Sequence, residues 1–143
     1  MAGRIIGSKS PRIIIVHGIA HARAAAAAAS ELGVAVRIRS APGAAAYGGA
    51  GWFLEIIAIV RAEFPDAGIE ASLDCADAPG YAMAALRRGA AMIRFQGPKA
   101  ASEKIARLAE ANGAVLDSSR ATPLDLLGAG DPERACLDWL GRR

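Results

Sequence analysis

The sequence predicts an α/β domain built on a parallel sheet, and three observations carry that prediction. Short runs rich in Ile and Val alternate with helical stretches five times, with no long linker between them. That is the pattern of βα units joined by right-handed crossovers. The chain has 143 residues, 53% hydrophobic and 22% charged, so one domain can bury a sizeable core. Aromatic residues are only 5% while alanine is abundant, which suits thin helices lying close to a sheet. Residues 1–143 therefore read as a single α/β domain, with 1–11 as a flexible N-terminal segment.

The elements follow in order. "RIIIVHG" (12–18) is a β-branched run closed by glycine, the mark of a buried parallel strand. "IAHARAAAAAASELG" is a helix stopped by Gly33, and its run Ala24–Ala29 consists of the best helix former. "VAVRIRSAP" (34–42) alternates and ends at Pro-Gly, giving the second strand, and "GAAAYGGAG" is a glycine-rich loop. "WFLEIIAIVRAEFP" is the second helix, stopped by Pro65. "IEASLDC" (69–75) is the third strand and "GYAMAALRRG" the third helix. "AMIRFQG" (91–97) and the amphipathic "KAASEKIARLAEANG" (99–113) make the fourth unit, and "AVLDSS" (114–119) is the fifth strand. "TPLDLL" and "PERACLDWL" read as short closing helices, the second capped by Asp131 and opened by Pro132.

Two strand orders fit five parallel βα units. A flavodoxin-like open sheet, 2-1-3-4-5, covers strands three and four with helices on both faces. A partial, half TIM-barrel-like sheet in the order 1-2-3-4-5 keeps the helices on one side and leaves a concave face. Strands two to four carry a polar row on one face: Arg37 and Arg39; Glu70, Ser72 and Asp74; Arg94 and Gln96. Unpaired buried charge is costly, whereas opposite charges on adjacent strands favour pairing. The row therefore favours the half-barrel order, with the flavodoxin-like sheet as the alternative.

The net charge of +3 is spread along the chain without a basic stripe, so no nucleic-acid partner is expected. No apolar run approaches the roughly 20 residues that span a bilayer, and "MAGRIIGSKSPR" lacks the apolar core of a signal peptide. No membrane partner is expected. Cys75 and Cys136 have no metal or redox spacing and read as reduced thiols of a cytoplasmic protein. The second helix is apolar nearly all round, from Trp52 to Phe64, which predicts a homo-oligomer through the helix containing Trp52. Cover by a C-terminal segment bearing Trp139 and Leu140 is the alternative.

The segment "GYAMAALRRGAAMIRFQGP" is similar to the helix–strand–Pro segment of 2-keto-3-deoxy-6-phosphogluconate aldolase-like (β/α) barrels. "ARLAEANGAVLDSSRATPLDL" is similar to the unit that follows it there. The resemblance covers about residues 69–127, the second half of the chain, and implies a barrel-type fold. The chain departs from the family at the reacting group. That family places a Schiff-base lysine on a barrel strand, whereas Lys9, Lys99 and Lys104 lie at the N-terminus or on the fourth predicted helix. Arg94 holds the middle of strand four, where a guanidinium cannot form the imine, and the family's catalytic glutamate has no match here, though Glu70 lies on a strand.

In both architectures ligands bind at the carboxyl ends of the strands. Those ends read His17-Gly18, Ser40-Ala41-Pro42-Gly43, Asp74-Cys75-Ala76-Asp77, Gln96-Gly97 and Asp117-Ser118-Ser119. His17 and Asp74 have the chemistry of an acid and a base. Cys75 with His17 has that of a nucleophile and its base, or is a small buried packing residue. Asp77 is placed to cap the third helix and to border the pocket. Arg39, Ser40, Gly43, Gly48, Gly49, Arg94 and Gln96 are candidates to hold an anion, the loop "PGAAAYGGAG" supplying backbone N–H groups or a lid. His17 and His21 are four apart and could join Asp74 or Asp77 around a metal, but no dense ligand motif is present, and neither metal nor cofactor is expected. The reading is a protein that binds a small anionic metabolite without necessarily transforming it. The alternatives are a lyase- or isomerase-type enzyme using Asp74 and His17, and a structural oligomerising partner protein.

Overall fold

A computed structural model describes residues 10–142; most of the predicted flexible segment 1–11 lies outside the described residues. The strands are β1 (Arg12–Val16), β2 (Ala35–Ser40), β3 (Gly68–Asp74), β4 (Met92–Arg94), β5 (Val115–Leu116) and β6 (Leu124–Asp125). The helices are α1 (Ile19–Leu32), α2 (Ala44–Tyr47), α3 (Gly49–Glu63), α4 (Pro79–Arg87), α5 (Lys99–Ala111) and α6 (Pro132–Leu140). The six strands form an all-parallel sheet in the order β5-β4-β3-β2-β1-β6. β2 lies between β1 and β3, the place that the flavodoxin-like order gives to β1, so that alternative is not the order found.

Two predicted elements change. "TPLDLL" is strand β6, not a helix: Leu124 and Asp125 register against Ile14 and Ile15, and the Leu126 N–H donates to the Ile15 carbonyl at 3.1 Å. The open edge of β1 supplies hydrogen bonds that six residues could not make for themselves, and tertiary pairing overrides local pattern. The glycine-rich loop is also structured. Residues 44–47 form the short α2, and α3 starts at Gly49, which takes φ +77°.

The described residues group into two compact units. The first holds the chain up to Ile38, Ile56–Glu70 and the chain from Ala121. Its core is Ile13–Val16 of β1 against the alanine face of α1, where Ala22, Ala25 and Ala26 are fully buried. Side chains this small let α1 pack closely on α6, so the C-terminal helix covers α1. Trp139 of α6 donates its indole N–H to the Ile13 carbonyl at 3.2 Å, and Arg142 lies over the ring at 4.8 Å. Gly33 ends α1 in the left-handed region, φ +66°, which glycine adopts without a Cβ penalty. Asp131 caps α6 as expected, accepting from the Arg134 N–H at 3.1 Å.

The second unit holds Arg39–Glu55 and Ala71–Arg120. Its core is Phe53, Leu73, Ile93, Phe95 and Ile105, with Ala82 and Ala85 of α4. Leu73 pairs Ile93 and Asp74 pairs Arg94; Ile93 in turn pairs Leu116, which brings Asp117 to the next position beside Arg94. Because side chains alternate across a strand, Asp74, Arg94 and Asp117 share one face while the apolar trio Leu73, Ile93 and Leu116 faces the other way.

Candidate functional site

The polar row of the second unit converges on a residue that the sequence reading named only as part of a strand end. Asp117, just beyond β5, is a carboxylate with a fully buried side chain. Arg39 Nε donates to its Oδ2 at 3.0 Å, and the Ser72 hydroxyl donates to the same oxygen at 2.7 Å. The Ser119 N–H reaches Oδ1 at 3.3 Å. Arg94 Nη1 lies 3.7 Å from Oδ1 and donates to the carbonyls of Asp117 and Ser119 at 3.1 and 3.0 Å. Charge is tolerable here because each member has a partner. One atom is left over. Arg39 Nη2 sits 2.9 Å from Asp117 Oδ2, close enough for charge attraction, yet it is sealed from solvent with no N–H directed at an acceptor. The outer nitrogens of Arg94, Nε and Nη2, make no hydrogen bond among the described residues, and its side chain stays partly open, 14% exposed.

Asp74 does a different job from the one its position suggested. Its Oδ1 accepts from the Ala76 N–H at 2.8 Å and from the Gly43 N–H at 3.0 Å, and its own N–H donates to the Ser40 hydroxyl at 2.8 Å. Asp74 therefore pins the turn after β2 to the end of β3, using Gly43 at φ +70°. Only 6% exposed, with one oxygen committed to two amides, it is a latch rather than an acid or base. The same bonds remove Gly43 from any anion cradle, and the Gly48 N–H is spent on the Ala44 carbonyl at 3.1 Å. Gly48 serves packing instead: a Cβ there would meet the Trp52 indole at 2.9 Å. Ser40 is buried beneath this turn, and Gly49 begins α3.

Two other candidates of this unit, Cys75 as nucleophile and Asp77 as helix cap, do not take those roles. Cys75 is 2% exposed and its thiol lies 3.7 Å from the Leu73 carbonyl; burial, then the neighbouring Asp74, push its pKa up to about 12. It is an inert thiol at neutral pH, not a nucleophile. Asp77 does not cap α4, whose N-cap is Ala78 without a side-chain bond; Asp77 and Gln96 are exposed. Ala76, next to Asp77, takes φ +50°, the one non-glycine residue in the left-handed region among those described, a strain of the kind that gathers at functional rims. A cavity of about 110 Å³ lies between α4 and α5, lined by Met83, Leu86, Arg87, Leu108 and Asn112. Those residues are at the carboxyl ends of the helices, the opposite end of the βα units from Arg94 and Asp117.

In the first unit Arg37 lies 2.9 Å from Glu70 through both Nε and Nη2, the cross-strand charge pair that the polar row implied. A second cluster stands where β1 and β6 end. His17 Nε2 lies 2.6 Å from Asp125 Oδ1, which also accepts from the Leu127 N–H at 2.9 Å. The His17 N–H donates to His21 Nδ1 at 3.0 Å, and the two rings meet edge to face with centroids 5.7 Å apart. Burial by itself would raise the Asp125 carboxyl, but the Leu127 N–H, the His17 hydrogen bond and the charges of both histidines hold it below the usual carboxylate range. Burial, then His17, hold His21 below its ordinary pKa against the pull of Asp125, so His21 is uncharged at neutral pH. Sequence reasoning missed Asp125 because it lies in the stretch read as a helix. Among the described residues no group of three His, Cys, Asp or Glu side chains is arranged to hold a metal ion. No helix among them is long and apolar enough to cross a membrane. Compared with protein-family models and with curated proteins, the chain matches none.

Proposed function

We propose that the protein binds a small anionic metabolite at the carboxyl end of its strands, with Arg39 and Arg94 as the anion-holding residues. The observation that carries this reading is the partly open Arg94, whose Nε and Nη2 make no hydrogen bond among the described residues, next to Arg39 and Asp117. A hydrogen bond to a charged group contributes about 1.5–3 kcal/mol, and an incoming carboxylate or phosphate oxygen can accept from these open donors. Guanidinium groups suit both ligands because their donors form a planar fork. Arg94 offers its open edge, Nε and Nη2, as the entry point. The reading includes a half-barrel sheet related to the aldolase-like barrels, supported by the consecutive order of β1 to β5. It omits imine chemistry, since Lys99 and Lys104 both fall on α5. It includes a cytoplasmic location, supported by two buried, unpaired cysteines.

Calorimetric titration of the full chain with acetate and with inorganic phosphate tests the reading. Saturable heat that disappears in Arg94→Gln is expected. Heat no greater than an equal ionic strength of chloride gives would contradict it. The subunit contact through the Trp52 helix belongs to the same reading as a second element. Trp52 and Ile59 stand seven residues apart on one helical face and are 42% and 37% exposed. Native mass spectrometry should show an oligomer that Trp52→Glu reduces to the monomer; a wild-type monomer removes the contact.

A further inference from the structure

We propose that the anion held by Arg94 is the carboxylate of an α-amino acid, and that Asp74 holds the ammonium group of the same molecule. The proposal rests on the anion-binding reading and names the ligand class of that site. Its geometry lies wholly within the second unit.

Asp74 and Arg94 are register partners on the neighbouring parallel strands β3 and β4, so their side chains leave one face of the sheet side by side. They do not bond each other; each is turned to a different neighbour and keeps one edge open. Arg94 Nη1 donates to the carbonyls of Asp117 and Ser119, beyond β5, at 3.1 and 3.0 Å. In a planar guanidinium the Nε–Nη2 fork faces away from Nη1. The fork is therefore turned from β5, to the side where β3 lies.

Asp74 is turned the other way. Its Oδ1 accepts from the Gly43 N–H in the turn after β2, at 3.0 Å, and from the Ala76 N–H at 2.8 Å. Oδ2, on the far side of the carboxyl carbon, makes no hydrogen bond among the described residues. It is not sealed: the one sealed side-chain nitrogen or oxygen without a hydrogen bond among those residues is Arg39 Nη2. An open acceptor and an open donor fork thus border the same interval of the sheet face, between β3 and β4.

Charge fixes what the two edges take. The fork of Arg94 matches a carboxylate. Asp74 is buried among neutral amides, with no cation at ion-pair distance among the described residues. A buried charge without a counter-charge is costly, so Asp74 favours a ligand group that is positive as well as a donor. An ammonium is both, whereas a hydroxyl only donates. Neighbouring strands lie about 4.8 Å apart, which suits a compact ligand whose two charged groups are separated by two bonds. An α-amino acid has that arrangement.

The experiment is calorimetric titration of the full chain with glycine, glycolate and acetate. The three share one carboxylate and differ only in the neighbouring group: ammonium, hydroxyl or hydrogen. Glycine is expected to bind at least about tenfold more tightly than either of the others. Asp74→Asn should bring glycine down to the level of acetate, and Arg94→Gln should remove saturable heat for all three. The ranking is read on the wild-type chain, so it decides the matter even where a variant fails to fold. Acetate binding as tightly as glycine overturns the amino-acid assignment and leaves the anion site standing. Glycolate matching glycine overturns the ammonium contact in the same way. No saturable heat with any of the three overturns this proposal and the anion-binding reading together.

Discussion

The two polar clusters of this protein use similar side chains in opposite ways. In the second unit the Asp117 carboxylate is sealed, and Arg39, Ser72, Arg94 and the Ser119 amide are turned toward it. In the first unit the Asp125 carboxylate is 46% exposed and binds a histidine whose second nitrogen stays open. Burial makes the first cluster strong and unreactive, because a desolvated charge is held only by complete pairing. Exposure makes the second cluster weak for stability and available for chemistry. Rank in the fold and fitness for reaction therefore run in opposite directions here, and the sealed network opens to a partner at the edge of Arg94, whose Nε and Nη2 make no hydrogen bond among the described residues.

Substitutions should separate the two. Asp117→Ala leaves Arg39 buried without its counter-charge and should cost about 3–5 kcal/mol in urea unfolding; a loss under 1 kcal/mol would remove the contrast. Asp74→Ala breaks the bonds from Gly43 and Ala76 and should cost about 1–3 kcal/mol, whereas Asp74→Asn keeps an acceptor and should lose less. His17→Gln in the open cluster should change stability by no more than about 1 kcal/mol, because the His17–Asp125 pair is largely open to solvent. Ala76→Gly should be neutral or stabilising by up to about 1 kcal/mol, because glycine relieves the φ of +50° but loses more backbone entropy.

The smallest effect is the pH dependence of the open cluster. The folded pKa of His21 lies below its ordinary 6.5, so the unfolded chain binds more protons in the window between the two values. The stability this group contributes is complete above pH 6.5 and is lost as the pH falls through the lowered folded pKa. Thermal melts of His21→Gln should therefore fall less steeply than those of the wild type on acidification through that window. An unchanged slope would mean that His21 titrates alike in both states.

How far these clusters could be read from the sequence depended on whether each partner lay inside a regular element. Arg37, Glu70, Arg39, Ser72 and Arg94 alternate along clear strands, so a polar face was visible and its pairing followed. Asp117 could have been added by extending the same alternation to the fifth strand, where it follows Val115 and Leu116. Asp125 had no such signal, since a two-residue edge strand is defined by its neighbour β1 and not by its own pattern. Asp74 and Cys75 were visible as a strand end, but their roles rest on where the Gly43 turn folds back, which local sequence does not encode. The glycine loop misled for the same reason. Gly43 and Gly48 spend their amides on Asp74 and Ala44, and Gly48 makes room for Trp52.

The central claim is that the open edge of Arg94, beside Arg39 in the sealed network, is a place for an anion. Titrating acetate into the full chain labelled with nitrogen-15, and following the arginine side-chain Nε–H signals, tests it at the atoms concerned. Saturable shifts at both Arg39 and Arg94, absent when chloride replaces acetate, are the predicted result. Shifts that rise linearly and equally with either salt would contradict it, and would leave the network as a purely structural brace of the sheet.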